Sequence, residues 1–351
     1  MIRKLEAHGV RGELLNWISS WTQGRTQRVV LNGIHSSWAD VLSSVVQGSV
    51  LGPVLFVIFI NDIDLAIPDP ITRIYKYADD SKLGRPVRSP EDAAALQSAI
   101  HSVAKWAERW GMEIHPTKTL VMHFGHNNEK YEYELNGVRI SPVASARDLG
   151  VIVTDSGKPS EHATTIAKKA NSILSQLNRT MISRSRDVIL NLFKIFVRPT
   201  LESAGVAWCP WEKKDIEIIE KIQRRTTRMI PGLGGLSYEE RLKACNLTTL
   251  ERRRERGDAI EMFKILNGYS CNDLVRSFCF ASQRHDVSTR SAANKSLVPE
   301  KCHLDVRKNF FTNRAVQVWN ALPLDVREAE SVNNFKNRYD DWKLCEAVND
   351  N

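Results

Sequence analysis

The sequence predicts an α+β fold, and three observations predict it. Short apolar and aromatic runs alternate with amphipathic helical stretches through about residue 125. Between Tyr131 and Val153 the pair Asn136-Gly137 sits inside strand-like sequence, a strong hairpin signal. Beyond Gly157 apolar residues recur at helical spacing, in stripes that suit the core of a bundle.

Taken in order, Met1 to Trp21 is amphipathic and helical, with Leu5, Val10, Leu14, Leu15, Ile18 and Trp21 at helical spacings. Gln27 to Gly33 reads as a strand entering a turn, and Ser37 to Val41 as its return. In Gln47-Gly48-Ser49-Val50-Leu51-Gly52-Pro53 the glycines permit close backbone approach and Pro53 suits a first helical turn. The helix that follows is apolar through Ile60, which predicts a place in the core. Ile74 to Tyr77 reads as a short strand that delivers Asp79 and Asp80 side by side. Ser89, Pro90, Glu91 and Asp92 start the next helix, Leu96, Ile100, Val103, Ala107 and Trp110 form its inward face, and Gly111 closes it. A strand is expected from Leu120 to Phe124.

In the helical half, Ile166, Ala170, Ile173, Leu174 and Leu177 make one stripe. Ile189, Leu192, Phe193, Phe196 and Val197 make a second, kinked or ended near Pro199. Ile216, Ile219, Ile222 and Met229 make a third, stopped by Pro231-Gly232. Ser237 to Glu240 and Thr248 to Glu251 read as capping boxes, the second helix ending at Gly268. Near the C-terminus Arg284, Arg290, Lys295, Lys301, Arg307, Lys308 and Arg314 interleave with Phe310, Phe311 and Trp319. That mixture suits either a grip on phosphates and bases or a solvated face over a small aromatic core.

At 351 residues the chain has room for two or three domains. A net charge of +8 suits a polyanionic partner without requiring one. The cysteines form no CxxC pair and no signal peptide opens the chain, so reduced thiols in an intracellular compartment, nucleus or cytoplasm, are expected. A zinc site from Cys271, Cys279, His285, Cys302 and His303 fits no common spacing. The most apolar run, Val50 to Ile60, falls far short of the ~20 residues of a membrane-spanning helix, so no membrane anchor is expected.

Two adjacent carboxylates repel each other and add nothing to a core, so Asp79-Asp80 is either a surface turn or a cation-binding pair. Its neighbours bear on that choice. Gln47 to Pro53 precede an apolar helix ending Ile60-Asn61-Asp62, and Tyr77-Ala78-Asp79-Asp80 follows. Then come Trp110-Gly111-Met112-Glu113-Ile114-His115-Pro116-Thr117-Lys118-Thr119 and Arg147-Asp148-Leu149-Gly150-Val151. This order and spacing resembles the reverse transcriptases of non-LTR (LINE-type) retrotransposons, most of all the jockey and CR1-like groups. The similarity runs on through Arg198-Pro199, Trp208, Ile222 to Arg225, Tyr238 to Leu242, Lys264 to Gly268, Asp305 to Arg307, Phe310-Phe311 and Trp319 to Pro323. It covers essentially the whole chain.

The resemblance implies a right-hand polymerase. Residues 1–125 would be a partial palm with an antiparallel sheet, 126–156 a primer-grip-like β-hairpin region, 157–270 a helical thumb-like domain and 271–351 a basic C-terminal extension. It implies that Asp79 and Asp80 are the catalytic, metal-holding pair, with Mg²⁺ as the ion and Mn²⁺ as an alternative. Gln47 and Gly48 would pack against template and incoming nucleotide, Lys118 would act on the leaving pyrophosphate, and Leu149 and Gly150 would belong to the primer grip. The plainer alternatives are a solvent-facing loop lysine at Lys118 and a local β-hairpin at Leu149-Gly150. The implied partners are an RNA template, a DNA primer and dNTPs.

The chain also departs from the family. There, a further strand carrying another catalytic aspartate and an aromatic steric gate precedes the helix that opens this sequence at Met1-Ile2-Arg3-Lys4-Leu5-Glu6. Asp40, Asp62 and Asp64 are not evident substitutes. The expectation is therefore an N-terminally truncated enzyme, inactive alone, with an open palm edge for a partner to cover. Ser44 and Val46 stand where the family has glycine and proline, which loosens the loop before Gln47. A second reading is a non-enzymatic RNA- or DNA-binding remnant using Arg224, Arg225, Arg252 and Arg253, since Lys213 to Arg256 holds twelve Lys/Arg against seven Asp/Glu. A different Asp-Asp metal enzyme, a phosphatase or nuclease, would need further ligands near Asp79 that the spacing does not offer.

Overall fold

Helices and strands fall along the chain where turn residues and apolar period direct them, with a few instructive exceptions. The computed structural model describes residues 1–270, 273–281 and 295–349, and the chain divides into two units, Met1–Val143 and Ala144–Asn351. The division lies inside the 126–156 segment.

The first unit opens with two helices where one was expected, α1 (Ile2–Ala7) and α2 (Gly12–Thr22). The break falls at Gly9, whose φ of +86° leaves the right-handed helix. Leu5, Leu15 and Ile18 pack with Leu55 in a small core. The expected hairpin forms from β1 (Thr26–Gln27), β2 (Val30–Leu31), β3 (Ile34–His35) and β4 (Ala39–Asp40), turning at Asn32-Gly33. Its register slips by one residue between Gln27↔Ala39 and Val30↔His35, which interrupts the ladder.

Helix α3 (Leu51–Ile60) continues into a 3₁₀ segment, Asn61–Ala66. Ser49 Oγ accepts from the Gly52 amide at 2.9 Å and donates to Val46 O at 2.6 Å, closing the loop onto the helix start. A Cβ on Gly52 would lie 2.8 Å from Val46 O, so glycine is required there. The helix is less buried than its composition predicts: Leu55 and Ile60 are inside, but Val54 and Val57 are exposed. Next come β5 (Arg73–Tyr77), β6 (Asp80–Gly84) and α4 (Pro90–Arg109). Ser89 caps α4 through the Asp92 amide, as predicted. Val103, Trp106 and Ala107 join Ile60 and Ile63 in one core, with Ile74 and Leu83 packed against it. The expected strand at Leu120 shrinks to β7 (Leu120–Val121), which pairs in parallel with β10 (Ser141–Pro142). Between them β8 (Glu134–Leu135) and β9 (Val138–Arg139) turn at Asn136-Gly137.

In the second unit β11 (Ser145–Asp148) and β12 (Val151–Thr154) make a hairpin ahead of the helices. Among the described residues, strands pair only in twos, so the α+β class holds while no single palm sheet forms. Most of these strands are two residues long, too few ladder bonds to recruit a third neighbour.

The helices are α5 (Ser160–Thr180), α6 (Arg186–Leu192), α7 (Arg198–Glu202), α8 (Gly205–Trp208), α9 (Lys213–Arg228), α10 (Tyr238–Cys245) and α11 (Leu250–Leu266). A π-helical turn, Phe193–Val197, joins α6 to α7. Pro199 cannot donate to the carbonyl one turn back and its ring crowds that turn, and the wider π turn relieves the conflict. It also rotates Phe196 outward, to 52% exposure, against the expected stripe, while Phe193, Val197 and Leu201 stay inside. The capping box at Ser237–Glu240 is present, but Thr249 rather than Thr248 caps α11, one residue later than expected and without a box.

Buried polar groups on α9 were invisible in the apolar pattern. Gln223 Nε2 donates to Tyr238 OH and to Thr248 O, each at 2.9 Å, and Glu220 Oε2 accepts from the Leu250 amide at 3.0 Å. These bonds tie α9 to the starts of α10 and α11. The remaining helices, α12 (Asp305–Lys308), α13 (Phe311–Ala321), α14 (Leu324–Arg327) and α15 (Val332–Asn349), pack Phe311, Trp319 and Phe335 against Met262 and Phe263 of α11.

Candidate functional site

The β5–β6 hairpin pairs Tyr77 with Asp80, which leaves Ala78-Asp79 as a two-residue loop. Such loops need a left-handed residue, and here that residue is Ala78, with φ +51°. A Cβ in that region costs about 1–2 kcal/mol, which glycine or asparagine would reduce. The turn holds Asp79 and Asp80 in solvent. Neither carboxylate makes an ion pair or a side-chain hydrogen bond among the described residues. Tyr75 and Tyr77, 62% and 65% exposed, share the outer face with Asp80, while Ile74 and Leu83 face the core.

Four other acids of this unit are committed elsewhere. Asp62 accepts from Lys4 Nζ at 2.6 Å and from Trp106 Nε1 at 3.2 Å, and the same ammonium lies 3.8 Å from the Trp110 ring centroid. Asp64 is ion-paired to Lys76 of β5, whose Nζ also donates to Asn61 O at 3.0 Å. Arg85, next after β6, bridges Asp69 at 2.6 Å and Asp92 at 2.8 Å. Hydrogen bonds from Thr72 hold the Asp69 carboxyl below its ordinary range, and the bond from Arg85 does the same for Asp92. Asp40 lies in β4 opposite Thr26, a pairing of backbone and not of its carboxylate. Among the described residues no group of three or more metal-ligating side chains forms. Two free carboxylates nonetheless suit Mg²⁺, which is commonly held by one or two carboxylates and completes its shell with water and substrate phosphates.

Gln47 and Gly48 occupy an exposed turn before α3, with Gly48 at φ +77°. Three residues earlier Ser44 takes φ +91°, a conformation glycine adopts freely, and Arg25 Nη2 donates to its carbonyl at 2.5 Å. Lys118 is exposed on a turn whose amide donates to His115 O at 3.1 Å. No ion pair joins Lys118 to Asp79 or Asp80 among the described residues.

In the second unit Leu149 and Gly150 form the β11–β12 turn, at φ +46° and +87°. Leu149 is half exposed in a conformation poorly suited to its Cβ. Behind the hairpin, buried His162 accepts from the Ile152 amide at 3.1 Å through Nδ1 and meets Trp208 edge-on. Burial, with the charge of Arg147, pushes its pKa below the ordinary 6.5.

The candidate cations separate clearly. Arg253 makes a bidentate pair with Glu202, the second bond at 2.9 Å. Arg252 is exposed. Arg224 lies over the Tyr238 ring at 4.7 Å and Arg225 reaches Asn171, both on an exposed face of α9 that also carries Lys221 and Arg228. Sequence reading missed those last two, although their i, i+3/i+4, i+7 spacing was available. Towards the C-terminus Phe311 and Trp319 are core residues, and Arg314 forks onto Asp258 at 2.8 and 2.9 Å. The aromatic-core alternative describes them better than base stacking. Arg284, Arg290, Cys271 and His285 lie outside the described residues. No helix among the described residues is long and apolar enough to cross a membrane.

Residues 1–153 match the family described as reverse transcriptase (RNA-dependent DNA polymerase). The chain is 25% identical over 225 residues to the RNA-directed DNA polymerase from mobile element jockey of Drosophila melanogaster, covering 61% of this chain and 25% of that protein. It is 26% identical over 230 residues to the jockey polymerase of Drosophila funebris, covering 63% and 25%. The chain thus spans about a quarter of the length of the curated relatives it matches. Residues 1–153 are thus similar to reverse transcriptases, and the curated relatives matched are RNA-directed DNA polymerases from mobile elements.

Proposed function

We propose that this chain carries the metal-holding turn of an RNA-directed DNA polymerase and does not synthesise DNA by itself. The single observation behind the reading is the β5–β6 turn, where a strained Ala78 holds two adjacent, unpaired carboxylates in solvent. Asp79 and Asp80 would hold Mg²⁺, or Mn²⁺ in its place. The chemistry supplied at that pair would be positive charge that lowers the pKa of a primer 3′ hydroxyl and stabilises a leaving pyrophosphate. Gln47 and Gly48 present an open turn to template and dNTP, Lys118 offers a proton to pyrophosphate, and Leu149-Gly150 contacts the primer. Residues 1–125 act as palm and 157–270 as thumb in this scheme.

Two acids that might complete a two-metal site are otherwise engaged, Asp62 with Lys4 and Asp64 with Lys76. A site short of a carboxylate loses about 10³-fold or more in rate. Primer extension on an oligonucleotide-primed RNA template tests this, with no Mg²⁺-dependent product expected from the chain alone. Robust synthesis would overturn the inactivity, and Asp79→Ala is expected to abolish any product that does form.

A second reading has its own support. Lys221, Arg224, Arg225 and Arg228 line one exposed face of α9 without a carboxylate partner among the described residues. Such a stripe suits a nucleic-acid backbone without catalysis. Binding to duplex DNA is then expected to weaken with salt, by a log–log slope of about 0.9 per phosphate contacted. Undetectable binding at low ionic strength removes the reading.

A further inference from the structure

The hairpin that carries Asp79 and Asp80 is fastened from beneath, and the fastening nearest the turn is Lys76. Its neighbours in β5, Tyr75 and Tyr77, point outward, so Lys76 points inward on the face that carries Ile74. Ile74 and Leu83 meet the core and supply non-directional grip. Lys76 supplies direction. Its ammonium donates to Asn61 O at 3.0 Å and pairs with Asp64, both on the 3₁₀ segment that continues α3. The side chain is 19% exposed, so this is not a freely waving surface lysine. Arg85 closes the other end of the hairpin onto Asp69 and Asp92. Lys76 lies one residue before the Tyr77↔Asp80 pair that closes the loop, and its own partner across the ladder is Ser81.

We propose that Lys76 is a positioning residue for the Asp79-Asp80 pair, anchoring the turn to the end of α3 so that both carboxylates hold one divalent cation. The proposal rests on the reading of that pair as metal-holding. Its distinguishing feature is a sign. A cation close to two carboxylates competes with a metal, so by charge alone its removal tightens metal binding. A positioning role gives the opposite result, because an unanchored turn no longer holds its two carboxylates on one ion.

The test is a Mn²⁺ titration of the full chain by water-proton relaxation, run well below the melting temperature of each variant. Lys76→Met keeps the apolar stem and removes the anchor, and its Mn²⁺ affinity is expected to fall about tenfold, with Lys76→Arg restoring most of it. Amide exchange across Asp80–Leu83 without metal is expected to quicken by a similar factor in Lys76→Met, and the amides in the middle of α4 to stay protected. Unchanged or tighter Mn²⁺ binding in Lys76→Met overturns the proposal. Should Lys76→Met fail to fold, Lys76→Gln removes the same charge and is read instead: weaker binding supports the anchor, unchanged or tighter binding overturns it. Asp79→Asn is the control that separates the two claims. If wild-type Mn²⁺ binding survives that substitution, the reading of the pair falls and the role of Lys76 falls with it. If Asp79→Asn removes binding and Lys76→Met does not, only the anchor is wrong.

Discussion

Two hairpins of this chain solve the same problem with different residues. The β8–β9 loop is Asn136-Gly137, at φ +53° and +77°, and the β5–β6 loop is Ala78-Asp79, with φ +51° at Ala78. Asparagine and glycine enter the left-handed region with little penalty, and alanine does not. The first loop is what a hairpin requires of its sequence. The second keeps a residue that works against the turn, next to two adjacent carboxylates that have no partner among the described residues. The β11–β12 loop behaves like the second, with Leu149 at φ +46°, whereas Asn32-Gly33 behaves like the first. Strain thus falls on the hairpins that turn at Ala78-Asp79 and Leu149-Gly150 and spares those that turn at Asn32-Gly33 and Asn136-Gly137.

Substitutions can break or sharpen that contrast. The largest effect is expected from Gly150→Val, which puts a β-branched residue at φ +87°, beside an already strained Leu149. About 2 kcal/mol of local stability should be lost, read from amide exchange across Asp148↔Val151. Gly137→Val should cost a similar amount with no effect on metal binding, and a change in Mn²⁺ affinity there would break the contrast. Ala78→Gly removes the Cβ conflict and should stabilise the β5–β6 hairpin by about 1 kcal/mol, after allowing for glycine's greater unfolded-state freedom. Mn²⁺ binding should weaken in the same protein, because a looser turn spreads the two carboxylates. A gain in both properties would mean that the strain has no role.

Ser44→Gly is smaller, about 0.5 kcal/mol stabilising by thermal melting, since Ser44 holds φ +91° just before Gln47. The smallest effect is graded with pH and concerns the β11–β12 hairpin. His162 has a folded pKa below its ordinary 6.5, because burial and Arg147 disfavour the imidazolium. As pH falls the unfolded chain binds the proton first, so the stability contributed by neutral His162 is complete above about pH 6.5 and is lost progressively below it. The Ile152 amide, which donates to its Nδ1, should then exchange faster in acid than base-catalysed exchange predicts. An unaltered protection factor down to pH 5 would contradict this link.

Much of this was legible from sequence wherever one residue type has a strong local reason. Asn136-Gly137 announced its turn, Ser89 and Pro90 announced α4, and the stripe through Ile166, Ala170 and Leu174 is the buried face of α5. What stayed hidden depends on partners far along the chain. Nothing local in Lys76 or Arg253 reveals Asp64 or Glu202, and Glu220 and Gln223 look like a solvated helix face until Tyr238 and Leu250 are brought to them. The π turn before Pro199 is an intermediate case, since proline forecasts a disruption without saying which way Phe196 will turn. The carboxylate pair itself was visible, but its strain was not, because alanine carries no turn signal.

The most direct test of the account is whether Asp79 and Asp80 bind a divalent ion as a pair. Mn²⁺ relaxation titrations of the wild type and of Asp79→Asn, Asp80→Asn and the double variant decide it. The account predicts one site in the wild type, weakened at least about tenfold by either single substitution and lost in the double. Equal Mn²⁺ binding by the wild type and the double variant would contradict it, and the turn would then be an exposed β-hairpin loop with two charges on it.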